Sequence, residues 1–191
     1  MGLRTFLAID LPSDMHKTIA QKQECLRRQL PHINWVKSEN LHITLKFLGD
    51  TPEMKINDLK QVVQQAVKNI SPFVITVRGF GVFPDKRAPR TIWTGIDSDQ
   101  SALENLASQV ESSVISLDFP KENKPFRPHL TLARIKKDNR EIGQAIDKSG
   151  VLTDPFIFGR LLVEQVTLFK SDLRPTGSVY TKLWAVPLGD S

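Results

Sequence analysis

The most constraining feature of this chain is a short pattern that occurs twice. His42-Ile43-Thr44-Leu45 and His129-Leu130-Thr131-Leu132 share the form His-x-Thr-Leu, and each is preceded by an apolar-Ile-Asp tripeptide, Ala8-Ile9-Asp10 and Gly95-Ile96-Asp97. Asp to His spans 32 residues in both cases. At ordinary residue frequencies, a histidine starts this pattern about once in two hundred trials. The chain has only 4 histidines, so two matches point to a duplicated unit. Each half reads as strand, helix, His-x-Thr-Leu strand, helix. Two copies are too few for a solenoid and suggest two similar lobes facing each other.

The surrounding pattern supports mixed α and β structure. Strands are expected over 4–10, 35–36, 41–48, 73–80, 91–96, 129–135, 156–169 and 179–186. From 14 to 30 the apolar Met15, Ile19, Leu26 and Leu30 form one helical stripe, with Gln, Lys and Arg opposite. Thr51-Pro52 reads as an N-cap and first position of a second helix, with Ile56, Leu59, Val62, Val63, Ala66 and Ile70 inward. Ser98 is placed to cap a third, carrying Leu103, Leu106, Val110, Val114 and Leu117, and 141–148 forms a short fourth. Loops are expected over 81–89 and 119–128. The fold class is therefore α+β, with 1–191 forming a single bilobal domain around a central cleft.

Strand geometry gives the motifs a chemical meaning. Residues i and i+2 share a face, so His42 and Thr44 lie above a core built by Ile43 and Leu45, and His129 and Thr131 lie above Leu130 and Leu132. Lys46 falls on the same face as His42. If the lobes pack face to face, two imidazoles and two hydroxyls converge. Imidazole titrates near neutrality, so one histidine can accept a proton while the other donates one. Threonine hydroxyls can bond the non-bridging oxygens of a phosphodiester as charge builds on them. With protons handled this way, the reaction calls for no metal. A zinc site would need more ligands than one histidine per strand, and Cys25 is the sole cysteine. His16 and His32 read as structural or surface residues.

With these residues in place, the chain resembles the two-histidine (2H) phosphoesterase superfamily, defined by tandem His-x-Thr or His-x-Ser motifs. Within it, the resemblance is to the RNA 2′,3′-cyclic phosphodiesterases, also called 2′-5′ RNA ligases. It runs through RTFLAIDLP, LHITLKFLGD, GFGVFP with PRTIWTGI, FRPHLTLAR and SDLRPTGSVY, nearly the whole chain. The resemblance implies two pseudo-symmetric lobes, each a mostly antiparallel sheet with outer helices. It implies metal-independent opening of a terminal 2′,3′-cyclic phosphate to a 2′-phosphate, with 2′-5′ ligation as a related reaction and no cofactor. His42 would be the acid protonating O3′ and His129 the base activating water, although nearly identical motifs leave that order open. Thr44, Thr131 and Arg134 would bind phosphate, and Phe47 would stack on the terminal base. Phe47 and Arg134 each lie five residues past their histidine, on the opposite face of a regular strand, so a twist or bulge is required.

Composition narrows the partner. With 26 basic against 21 acidic residues the net charge is +5, which suits an RNA end, and Lys86, Arg87, Arg90, Lys121, Lys124 and Arg127 concentrate in two loops. No stretch reaches the roughly 20 apolar residues of a membrane span. The opening MGLRTFLAID lacks the long apolar run of a signal peptide, so a cytoplasmic monomer is expected. Two further classes fit the same motifs: a nucleotide-binding regulatory module without turnover, and a 2H enzyme for small cyclic nucleotides.

Overall fold

A computed structural model describes residues 2–31, 33–98, 101–135, 139–175 and 177–189. His32 therefore lies outside the described residues. The chain forms two antiparallel sheets with four α-helices among those residues. The strands are β1 (Gly2–Asp10), β2 (Asn34–Trp35), β3 (His42–Pro52), β4 (Phe73–Phe83), β5 (Thr91–Ser98), β6 (His129–Arg134), β7 (Ile157–Val163), β8 (Gln165–Arg174) and β9 (Gly177–Pro187). The helices are α1 (Ser13–Gln29), α2 (Ile56–Val67), α3 (Ala102–Ile115) and α4 (Asn139–Ser149). One sheet has the order β3-β1-β8-β9 and the other β2-β6-β5-β4-β7. Each His-x-Thr strand thus lies at or next to a sheet edge.

The two sheets are not the two halves of the sequence. Helix α1 leaves β1 of the first sheet but buries Leu26, together with the following Leu30, in a cluster with Ile92 and Ala133 of the second sheet and Ile146 of α4. Helix α3 leaves β5 of the second sheet and packs against α2 and β3 on the first. Each helix crosses to the partner sheet, so the repeat units are interleaved. Leu7, Ile43 and Val166 of one sheet and Ile75, Leu130 and Val163 of the other belong to the same buried cluster.

Several boundaries differ from the sequence reading for definable reasons. The expected strand 156–169 is two strands, because the chain leaves the second sheet at Glu164 and enters the first. Thr51-Pro52 does not start α2. The Thr51 side chain is fully buried and hydrogen-bonds the Thr5 hydroxyl across the ladder at 2.7 Å, which extends β3 to Pro52. A turn of 3₁₀ helix over Glu53–Lys55 precedes α2. Ser98 accepts the Leu103 amide at 3.5 Å, but the residue flanking α3 is Ser101, in the left-handed region. Gly81 lies in β4 rather than a loop. The Trp93 indole occupies the space above it, and a Cβ there would come within 2.2 Å of the ring.

On α1 the apolar stripe is interrupted. Met15, Ile19 and Leu26 are buried as expected, and Gln23 is buried among them at 4% exposure. The sequence reading placed the Gln residues on the opposite face. Spacings of four from Met15 to Ile19 and from Ile19 to Gln23 could have located this one.

Candidate active site

The two motifs are built alike, including a local irregularity. In β3, Ala8 pairs with Thr44 and Leu7 with Lys46, so Leu45 is an extra residue in the ladder. In β6, Trp93 pairs with Thr131 and Ile92 with Ala133, so Leu132 is the extra residue. Both strands accordingly share one burial sequence. The His and Thr are partly exposed, the residue after each is buried, the next is also buried, and the sixth faces out. A bulge of this kind inverts the alternation beyond it.

The bulges explain the positions of Phe47 and Arg134. Both return to the face of their own histidine and occupy equivalent places in the two motifs. Phe6 makes the first case visible, since its ring lies 4.6 Å from the His42 ring and 6.1 Å from that of Phe47. Phe47 is 55% exposed, an unusual degree for a phenylalanine on a strand. Arg134 is exposed and close enough to both imidazoles for its charge to oppose a proton on either.

The same inversion corrects the reading of Lys46. It does not join the cleft but turns to the opposite face, where its side chain is 2% exposed. Its ammonium donates to the Pro120 carbonyl at 2.7 Å and to Glu111 at 3.1 Å. Glu111 also accepts the Glu122 amide at 2.6 Å. Burial opposes the Glu111 charge, but the amide and the ammonium together hold its carboxyl below the usual range. A buried ammonium tolerates removal from water only with such partners. They fasten the start of the loop that leads into His129.

Both imidazoles are oriented in one way. The Nδ1 of His42 lies 2.8 Å from the Asn40 carbonyl and the Nδ1 of His129 lies 2.7 Å from the Arg127 carbonyl. A carbonyl can only accept, so each Nδ1 carries a hydrogen and each Nε2 is the nitrogen not engaged by that carbonyl. Burial pushes His42 down to about 4, with Arg134 and His129 adding to the effect and the Asn40 carbonyl and Asp10 opposing it. Burial also lowers His129, aided by Arg134 and opposed by the Arg127 carbonyl. Asp10 sits opposite His42 in the β1–β3 ladder. The second motif differs here, because Gly95 faces His129 and Asp97 lies two residues beyond. The equal spacing of 32 residues therefore does not give equal geometry.

Aromatic rings line both sides. Around His42 stand Phe6, Phe169 and Tyr180, the last edge-on at 5.2 Å. Phe83 meets His129 edge-on at 5.1 Å, and Trp93 lies 6.3 Å away. Tyr180, Phe6, Phe83 and Trp93 were not singled out from sequence. Only the cross-strand register, as in Phe6 opposite Phe47 and Trp93 opposite Thr131, places them. The basic residues Lys86, Arg87, Arg90, Lys121, Lys124 and Arg127 are all exposed. His16 is partly buried on α1, outside the motifs. Among the described residues, no three His, Cys, Asp or Glu side chains gather into a metal-binding group, and no helix is long and apolar enough to cross a membrane.

This arrangement matches known proteins over its full extent. The family model described as LigT-like phosphoesterase matches twice in tandem, at residues 9–93 and 95–180. The RNA 2′,3′-cyclic phosphodiesterase of Methanothermobacter thermautotrophicus is 32% identical over 183 residues, covering 96% of this chain and 97% of that protein. Its counterpart from Archaeoglobus fulgidus is 32% identical, covering 95% and 98%. Among solved structures, TT0787 of Thermus thermophilus superposes with a TM-score of 0.80 at 29% identity, over 99% of this chain and 100% of that one. E. coli LigT complexed with 3′-AMP gives 0.75 at 25% identity, over 98% and 99%. With the tandem match spanning both His-x-Thr units, the chain belongs to the LigT-like phosphoesterase family, the 2H phosphoesterases.

Proposed function

We propose that this chain is an RNA 2′,3′-cyclic phosphodiesterase that hydrolyses a terminal cyclic phosphate to a 2′-phosphate, using His42 and His129 as the acid and base. The observation that carries this reading is the matched pair of imidazoles. Each is fixed through Nδ1 to a backbone carbonyl, each has a free Nε2, and both lie within reach of the Arg134 charge. The relatives named for this activity, similar over nearly the whole chain, support it.

In this scheme His129 Nε2 takes a proton from water as the water oxygen bonds to phosphorus. The P–O3′ bond breaks, and the proton on His42 Nε2 passes to the departing O3′. The 2′-phosphate remains on the sugar, and a proton exchanged with solvent resets the pair. Burial leaves His42 neutral near pH 7 in the free protein, so it serves as the acid once the anionic phosphate of the substrate, together with Asp10, favours a proton on that ring. Thr44 and Thr131 donate to the non-bridging oxygens and Arg134 balances their growing charge. Phe47, exposed on the same face, takes the terminal base by stacking, and the basic loops guide the RNA strand. The protein acts as a cytoplasmic monomer without a cofactor, and 2′-5′ ligation draws on the same groups.

The test uses an oligonucleotide ending in a 2′,3′-cyclic phosphate. Wild-type protein should convert it to the 2′-phosphate with and without chelator, and His42→Ala and His129→Ala should each lose at least about 100-fold in rate. Activity retained in both variants, or tight nucleotide binding without product, would sink the proposal.

A further inference from the structure

The bulge at Leu132 decides which face Arg134 occupies, and something outside the cleft holds that bulge in place. The Leu132 carbonyl, at the extra residue of β6, accepts two hydrogen bonds. One comes from the Val36 amide at 2.9 Å and the other from the Gln23 carboxamide at 3.0 Å. The same Gln23 nitrogen donates to the Val36 carbonyl at 3.1 Å. Both neighbours are carbonyl oxygens, so the amide must present its NH₂ end, and a glutamate could not replace it. Gln23 is 4% exposed in the middle of the apolar face of α1. Burying a primary amide there is costly unless it serves a partner.

Its two partners lie on different segments. Leu132 lies between Thr131 and Arg134. Val36 follows β2 and starts the segment that runs through Asn40, whose carbonyl orients His42. One carboxamide on a third element thereby ties the lead-in of the first histidine to the irregular strand of the second.

We propose that Gln23 is a positioning residue of the phosphoesterase site, holding the β6 bulge so that Arg134 is presented to the phosphate. This rests on the reading of Arg134 as a phosphate ligand. Without the added bond, β6 can relax toward regular pairing, which carries Arg134 to the far face while leaving His129 and Thr131, which precede the bulge, in place.

The test is a double-mutant cycle on kcat/KM for the cyclic-phosphate oligonucleotide, in proteins whose folding is verified by thermal melts. Gln23→Met keeps the length of the side chain without its donors, and Gln23→Leu, continuing the apolar stripe, serves if the methionine variant does not fold. Either should lower kcat/KM by about 10- to 100-fold, the scale of a displaced charged group. In that background Arg134→Ala should add less than about threefold, since Arg134 is already misdirected. Gln23→Lys, which restores a donor, should recover most of the loss. Wild-type activity in the apolar variants, or losses that simply multiply with Arg134→Ala, would overturn the proposal. If Arg134→Ala alone leaves kcat/KM unchanged, the phosphate-ligand reading falls and the proposal falls with it, a result distinct from either of those.

Discussion

Replacing His42 by glutamine should remove much of the acid sensitivity of folding, by an amount the structure sets. In the folded chain His42 titrates at about 4, against 6.5 for an unhindered imidazole. Each pH unit of displacement corresponds to about 1.4 kcal/mol. Above pH 6.5 the ring is neutral in both folded and unfolded states, so it contributes no pH dependence. As the pH falls from 6.5 to about 4, the unfolded chain takes up the proton and the folded chain does not. Stability therefore drops across that window and levels off below it, by about 3 kcal/mol for this residue. The dominant cause is burial among Phe6, Phe169 and Tyr180, and the Arg134 charge adds to it. Asp10 acts the other way. Urea unfolding at pH 7 and pH 4 measures the effect for wild type and for His42→Gln. The variant should lose about 3 kcal/mol less than wild type over that interval, with His129 contributing to both. A proton NMR titration placing the His42 ring above pH 6, or equal losses in the two proteins, would refute the burial argument. Inorganic phosphate should raise the same titration, because a bound anion favours the imidazolium.

Other substitutions separate the remaining roles. Phe47→Ala should leave the melting temperature within a few degrees, since the ring is mostly exposed, yet raise KM for an RNA end by about tenfold, the scale of one lost base stack. Arg134→Ala should raise the titration of both His42 and His129, whose protons it now opposes, while lowering kcat/KM about 100-fold; NMR and kinetics read the two effects independently. Lys46→Met should loosen the loop after Phe119, seen as faster hydrogen exchange over 120–128, and lower stability by about 1–3 kcal/mol through loss of the bond to Pro120. Gly81→Ala should destabilise the second sheet by about 1–3 kcal/mol in denaturant titrations, because the Trp93 ring must move.

The parts of the site that were legible in the sequence are those that depend on a period of two within a few residues. His42 with Thr44, His129 with Thr131, and the buried Ile43, Leu45, Leu130 and Leu132 follow from alternation alone. Alternation fails at the next residue in both strands, and the sequence announces the failure unequally. In β6 the adjacent apolar pair Leu132-Ala133 already breaks the pattern and marks the bulge. In β3 the equivalent position is Lys46, whose charge argues for the cleft. Its burial becomes intelligible only once Glu111 on α3 and the Pro120 carbonyl are placed behind it. Contacts between distant segments carry no local signature; for Gln23 the four-residue spacing from Ile19 marks the buried stripe, but only Val36 and Leu132 account for an amide there.

The interleaving of the helices follows from the same limit and bears on how the site works. A sequence repeat records the order of elements, not which sheet a helix covers. Here α1 and α3 each cross to the other sheet, so neither His-x-Thr strand is supported by its own half alone. His129 is reached through a loop fastened by Lys46 of the first motif's strand, and the Arg134 bulge is pinned by Gln23 of the first half. Two independently packed lobes could drift apart by the ångström that acid–base geometry cannot tolerate. Exchanged helices and cross-motif hydrogen bonds make the separation of the imidazoles a property of the whole core. Mutations that weaken that core, even far from the cleft, should therefore lower kcat before they unfold the protein.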